Sequence, residues 1–170
     1  MVSCKTSEVA ELLEKLKWPV HHIELYNEAL THSSYAHEKN CLKSNERLEF
    51  LGDAVLELII SEYFFKKFPG HSEGKLTAMR HSVVNEKTLG EVAVKLQLGH
   101  YLKLGKGETV SGGAQKISLL ADAVEALLGA LFLDQGYLIA KEYVLKLFEP
   151  YLLKVSQGSF PVVDYKTLLQ

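Results

Sequence analysis

At 170 residues and 47% hydrophobic, the chain has enough apolar matter for one domain with a buried core. Its formal charge of −2 excludes a protein that holds nucleic acid by net positive charge alone. The longest apolar run carries two acids and is too short for a comfortable membrane span, and the N-terminus has neither a basic n-region nor an apolar h-region. Cys4 and Cys41 show no zinc or CxxC spacing. Free thiols in a reducing compartment are therefore expected, in a soluble cytoplasmic protein with no membrane partner.

In chain order, residues 7–17 have helical spacing, with Ser7 as the expected cap and Trp18 and Pro19 as the stop. A short helix is expected over 24–32, and the polar stretch 33–43 reads as a loop. A long central helix follows from about Asn45 to Phe68, capped by Ser44 or Asn45 and ended by Pro69 and Gly70. Ser72 and Asn85 cap the next two helices. Glycines and charge changes between Gly99 and Gly113 suggest a mobile connection, and two helices at about 115–135 and 137–155 meet at Gly136. No hairpin signal or repeat occurs, so the fold class is all-α, a helical bundle around the long central helix.

The central helix opens with NERLEFLGD. At about 100° per residue, with Glu49 at 0°, Glu46 falls near 60° and Asp53 near 40°. Leu51, Ala54, Val55 and Leu58 fall between about 140° and 240° and are the expected core side. Such a stripe of acids is either solvated or neutralised by a cation. Between Ile117 and Leu133 the only charged residues are Asp122 and Glu125, which share a helix face. An isolated carboxylate in that surrounding is costly. If the two helices pack together, Glu49, Asp53, Asp122 and Glu125 can meet. Four carboxylates without sulfur or imidazole suit Mg²⁺ or Mn²⁺, the setting for in-line displacement at a phosphodiester. Two solvated or ion-paired acidic faces are the plainer alternative.

The stretch NERLEFLGDAVLEL, followed in order by SEGKLTAMR, LGHYLKLGKGETVSGG and SLLADAVEALLGALFLDQG, resembles the motifs of the ribonuclease III family. The resemblance covers about residues 8–152. It implies the family's endonuclease domain over 1–155, a linker over 156–163, and at 164–170 the first residues of a double-stranded-RNA-binding domain. It implies an endoribonuclease that hydrolyses double-stranded RNA with Mg²⁺, leaving 5′-phosphates and short 3′ overhangs, in processing of ribosomal and messenger precursors. Metal binding then falls to Glu49, Asp53, Asp122 and Glu125, with Asp53 and Glu125 catalytic. Glu46 and Glu73 match two auxiliary acids, which either position RNA or a second metal or hold loops and the dimer in place. Phe50 matches a phenylalanine at a two-fold interface, so a homodimer is implied; a plain core position is its alternative. Lys75, Arg80 and Lys106 are candidate RNA-backbone contacts. No small organic cofactor is implied. The rivals are a catalytically silent relative that binds double-stranded RNA and a phosphohydrolase of small nucleotides.

Other patterns carry less. Gly70–Gly74 spells G-x-S-x-G, but a long helix and Pro69 precede it where a strand is required, so Ser72 reads as a cap. The seven histidines form no HExxH. No P-loop can be written around Lys106; the glycine-rich stretch Gly105–Gly113 is either a phosphate contact or a flexible linker. Glu57, near 80° on the same helical count, is expected to be solvated or salt-bridged.

Overall fold

A computed structural model describes residues 5–40 and 43–158. Among them the chain is helical throughout, apart from turns and one isolated parallel bridge between Thr31 and Lys103. The helices are α1 (Lys5–Leu16), α2 (Ile23–Ala29), α3 (Ser33–Glu38), α4 (Glu46–Lys67), α5 (Glu73–Val83), α6 (Glu86–Lys95), α7 (Lys106–Val110) and α8 (Ile117–Ser156). No helix among the described residues is long and apolar enough to cross a membrane. The expected RNA-binding fragment at 164–170, most of the linker, and both cysteines lie outside the described residues.

The core is built on α4 crossing α8. Both helices carry a glycine at the crossing, because their backbones touch there. A Cβ on Gly52 would stand 1.7 Å from the Glu125 carbonyl oxygen, and one on Gly129 would stand 2.3 Å from that of Leu48. Leu56, Ile59, Ile60 and Phe64 of α4 pack with Val124, Leu127, Leu128 and Leu131 of α8, all but fully buried. Beyond Gly136 the second limb of α8 buries Ala140, Val144, Phe148 and Tyr151. Gly136 itself has φ 78° and ψ 177°, a backbone region essentially reserved for glycine, so the chain turns there as the sequence suggested. Clasps stand on both sides of the turn. The Asp134 carboxylate accepts from the backbone N–H of His21 and His22 (3.0 and 2.9 Å) and from the Tyr26 hydroxyl (3.0 Å). Glu62 of α4 takes the Tyr137 hydroxyl and the Lys141 ammonium.

Several expectations change. The core side of α4 is rotated from the expected one: Leu48, Gly52, Val55, Leu56 and Ile59, between about 240° and 340° on the same count, are buried. Of the expected core side only Val55 is fully buried; Leu51 is half-buried, while Ala54 and Leu58 are exposed. Apolar residues lie on most sides of this helix, so periodicity alone could not select the face that meets α8. The second helix starts a residue early and ends at Ala29, and Ser7 lies inside α1 rather than at its cap. The polar stretch after it is not a loop throughout: His32 caps α3, accepting the Ser34 N–H at 3.2 Å, and Ala36 is buried. Asn45 makes no side-chain cap; Ser44 instead donates to Glu46 at 2.9 Å, while the Asn45 N–H reaches back to Thr31 O. Ser72 and Asn85 cap α5 and α6 as expected. The connection Gly99–Gly113 folds into short helical turns fastened to α3. The Gly105 N–H donates to Ser34 Oγ (2.9 Å) and the Lys106 N–H to Glu38 Oε1 (2.7 Å).

Candidate metal centre

The glycine crossing fixes where the acids stand. Glu49 and Asp53 flank Gly52 on α4, and the Glu125 backbone lies against Gly52, with Asp122 one turn before it on α8. One carboxylate oxygen from each of Glu49, Asp122 and Glu125 lies within 4.8 Å of the others. Asp53 is outside this trio but lines the adjoining cavity of about 270 Å³ together with Glu57, Glu86, Asp122 and Glu125. Val84, Leu89 and Ala121 form its apolar wall, and Asn85 and Ser118 add polar atoms.

The charges are in conflict without a counter-ion. Burial, then repulsion from Asp53, Glu49, Asp122 and Glu57, pushes the Glu125 carboxyl up to about 8. Burial and the charges of Asp122, Glu46 and Asp53 raise Glu49. Burial and Glu86 raise Asp122, with His32 opposing. A set of carboxylates that face one another, half-buried and reluctant to ionise, fits a hard divalent cation. It offers no nitrogen or sulfur that would favour a softer metal.

A pH dependence follows. A carboxyl whose folded pKa is raised holds a proton that the unfolded chain gives up, so it destabilises the fold as pH rises from the ordinary carboxyl range through about 8. In EDTA the melting temperature is expected to fall between pH 5.5 and 8.5 by several degrees more in wild type than in Glu125→Gln. Mg²⁺ at pH 8.5 should restore the loss. A wild-type slope equal to that of the variant would refute the assignment of this conflict to Glu125.

The remaining sequence candidates are placed as follows. Glu46 is exposed and close enough to Glu49 to raise its pKa. Glu73 lies on the first turn of α5, accepts from Thr77 Oγ1 (3.0 Å), and does not line the cavity. Phe50 is 80% exposed, not core, and shares a surface stripe of α4 with Ala54, Leu58 and Phe65. Lys75 and Lys106 are exposed. The amides of Gly105 and Lys106 are already hydrogen-bonded to α3, whereas the Lys106 side chain is exposed. Arg80 faces inward, toward Glu57 and Ser61 of α4. Glu57, expected to be solvated or salt-bridged, pairs with Arg80 and also lines the cavity, and Glu86 is a cavity acid that the sequence did not mark. Glu57 lies one turn past Asp53, a usable signal. Glu86 had none, because the corner between α5 and α6 carries it to the cavity.

The profile of a family described as Ribonuclease-III-like matches residues 22–151. The chain belongs to the ribonuclease III family. Ribonuclease 3 of Clostridium tetani is 45% identical over 166 residues, 98% of this chain and 70% of that protein. Ribonuclease 3 of Natranaerobius thermophilus is 49% identical over 164 residues, 96% of this chain and 70% of that protein. Among solved structures, a nuclease domain of ribonuclease III from Campylobacter jejuni superposes with a TM-score of 0.80 at 39% identity, covering 85% of this chain and 99% of that one. That structure is described as showing flexibility in a region involved in dimer formation. The ribonuclease III assignment makes this chain an endoribonuclease, and its helices form the family's nuclease-domain fold.

Proposed function

We propose that the chain cuts double-stranded RNA as a homodimer, using Mg²⁺ held by Glu49, Asp53, Asp122 and Glu125, with Mn²⁺ as a substitute. The observation that carries this is the convergence of Glu49, Asp122 and Glu125 beside the cavity lined by Asp53. Bound there, the cation lowers the pKa of a water and neutralises charge developing on the phosphodiester. The protein's part is to hold the ligands. Glu49 and Asp53 approach from α4, Asp122 and Glu125 from α8, and Val84, Leu89 and Ala121 close one side of the cavity. Protonation of Glu125 would compete with the cation for the carboxylate, so the apparent metal affinity should rise with pH. Lys75 and Lys106 are the proposed backbone contacts, and recognition rests on A-form shape more than sequence. Ends with 5′-phosphates and short 3′ overhangs, substrates among ribosomal and messenger precursors, and a cytoplasmic location belong to the same reading.

The dimer is supported by the exposed stripe of α4: Phe50 and Phe65 are 80% and 70% exposed, beside Leu58 at 56%. Large apolar side chains gathered on one face of a helix mark an interaction surface. A two-fold axis through it brings two acid sites to one duplex, one for each strand.

The test is cleavage of a long labelled RNA duplex at low salt with Mg²⁺, beside matched single-stranded RNA and an EDTA lane. Metal-dependent cutting of the duplex alone is expected. Binding without cutting in every metal tried would replace this reading with a silent binder, and turnover of free nucleotides alone with a phosphohydrolase. Light scattering at micromolar concentration should give a dimer for wild type and a monomer for Phe50→Glu, whose cleavage drops with it. A wild-type monomer overturns the dimer.

A further inference from the structure

Glu57 faces the acid cavity alongside Asp53, Asp122 and Glu125, yet its surroundings differ from theirs. From α5, the Arg80 Nε approaches Glu57 Oε1 at 3.7 Å, and its Nη1 donates to Ser61 Oγ at 3.3 Å. Among the described residues Asp53, Glu86, Asp122 and Glu125 make no ion pair. The Arg80 Nε is buried with no hydrogen-bond acceptor. A buried donor left in that state is costly, and the Glu57 carboxylate 3.7 Å away offsets part of that cost.

We propose that Arg80 is a positioning residue: it holds Glu57 at the cavity wall, where the Glu57 carboxylate receives hydrogen bonds from the hydration shell of the bound cation. The inference rests on the cation reading above. Volume supports the outer place for Glu57. A water occupies about 30 Å³ in the liquid, so a cavity of about 270 Å³ accepts an ion together with several waters. Mg²⁺ parts with its waters reluctantly, and carboxylates one layer out orient what it keeps. The planar guanidinium serves Glu57 and Ser61 at once, which one ammonium cannot do equally well.

The experiment is Mn²⁺ binding to the whole chain, followed by the spin-resonance signal of the free ion, with thermal unfolding measured in parallel. Glu57→Gln and Arg80→Gln should each weaken Mn²⁺ binding about tenfold. The double variant should bind no more weakly than either alone, and Arg80→Lys should recover part of the affinity. If Arg80 acts on the cation only through its charge, Arg80→Gln tightens binding, which overturns the proposal. If its role is only structural, the melting temperature falls and Mn²⁺ affinity stays, which also overturns it. Glu125→Gln separates the two levels. Should it leave Mn²⁺ binding unchanged, the cation reading itself fails; should it weaken binding while Glu57→Gln does not, only the present inference fails.

Discussion

Glu125→Gln is expected to keep the fold and to lower duplex cleavage about a thousandfold. The amide is isosteric with the carboxylate and sits in the same half-buried place against Gly52. It can neither give up a proton nor bring a negative charge to a cation. A metal contributes several kcal/mol to a phosphoryl transition state, and about 4 kcal/mol corresponds to about a thousandfold in rate. The metal-free variant should also be more stable than wild type at pH 8.5, because the repulsion from Asp53, Glu49 and Asp122 is gone. Single-turnover cleavage with saturating Mg²⁺ and calorimetry in EDTA measure the two effects. A variant that cuts at the wild-type rate would remove Glu125 from the site, whatever its stability.

Gly52→Ala is expected to produce the largest loss of stability from a single methyl group. The added Cβ would sit 1.7 Å from a backbone oxygen of α8, and no side chain there can swing away. Overpacking usually costs about 1–3 kcal/mol. A clash of backbone with Cβ belongs at the top of that range or above. About 3 kcal/mol lowers the melting temperature of a domain this size by about 10 °C. Whatever fold survives has α4 pushed away from α8, and Glu49 and Asp53 drawn from Asp122 and Glu125. Mn²⁺ binding should therefore fall together with stability. Gly74→Ala is the comparison, since a Cβ there meets nothing within 4 Å. If Gly52→Ala melts and binds as Gly74→Ala does, the close crossing of α4 and α8 is wrong.

The sequence revealed what local spacing determines. Asp122 and Glu125 stand three apart in an apolar run, and Ser72 and Asn85 precede their helices as caps, so each could be read within a few residues. The joining of α4 to α8 at two glycines was not legible as such, although those glycines hold the acids together. The core face of α4 was misjudged for a related reason. Phe50, Ala54 and Leu58 are as apolar as Leu48, Val55 and Ile59, and only the position of α8 distinguishes the two sets. The α3 helix and the loop before α8 support each other through Ser34, Glu38, Gly105 and Lys106, partners about seventy positions apart that no local pattern links. Glu86 belongs to the same class, brought to the cavity by tertiary packing alone.

The turn at Gly136 also decides how long the molecule is. Run straight, the 40 residues of α8 would make a rod about 60 Å long. A domain of this size has a radius of gyration of about 15 Å and so measures about 40 Å across. A third of the rod would then project into water, carrying Val144, Phe148, Tyr151 and Leu152 with it, four side chains that are now buried. At about 1.5–3 kcal/mol for each large apolar side chain, that exposure exceeds half the net stability of a typical domain. One residue without a side chain thus separates a globule from a domain with an apolar spike.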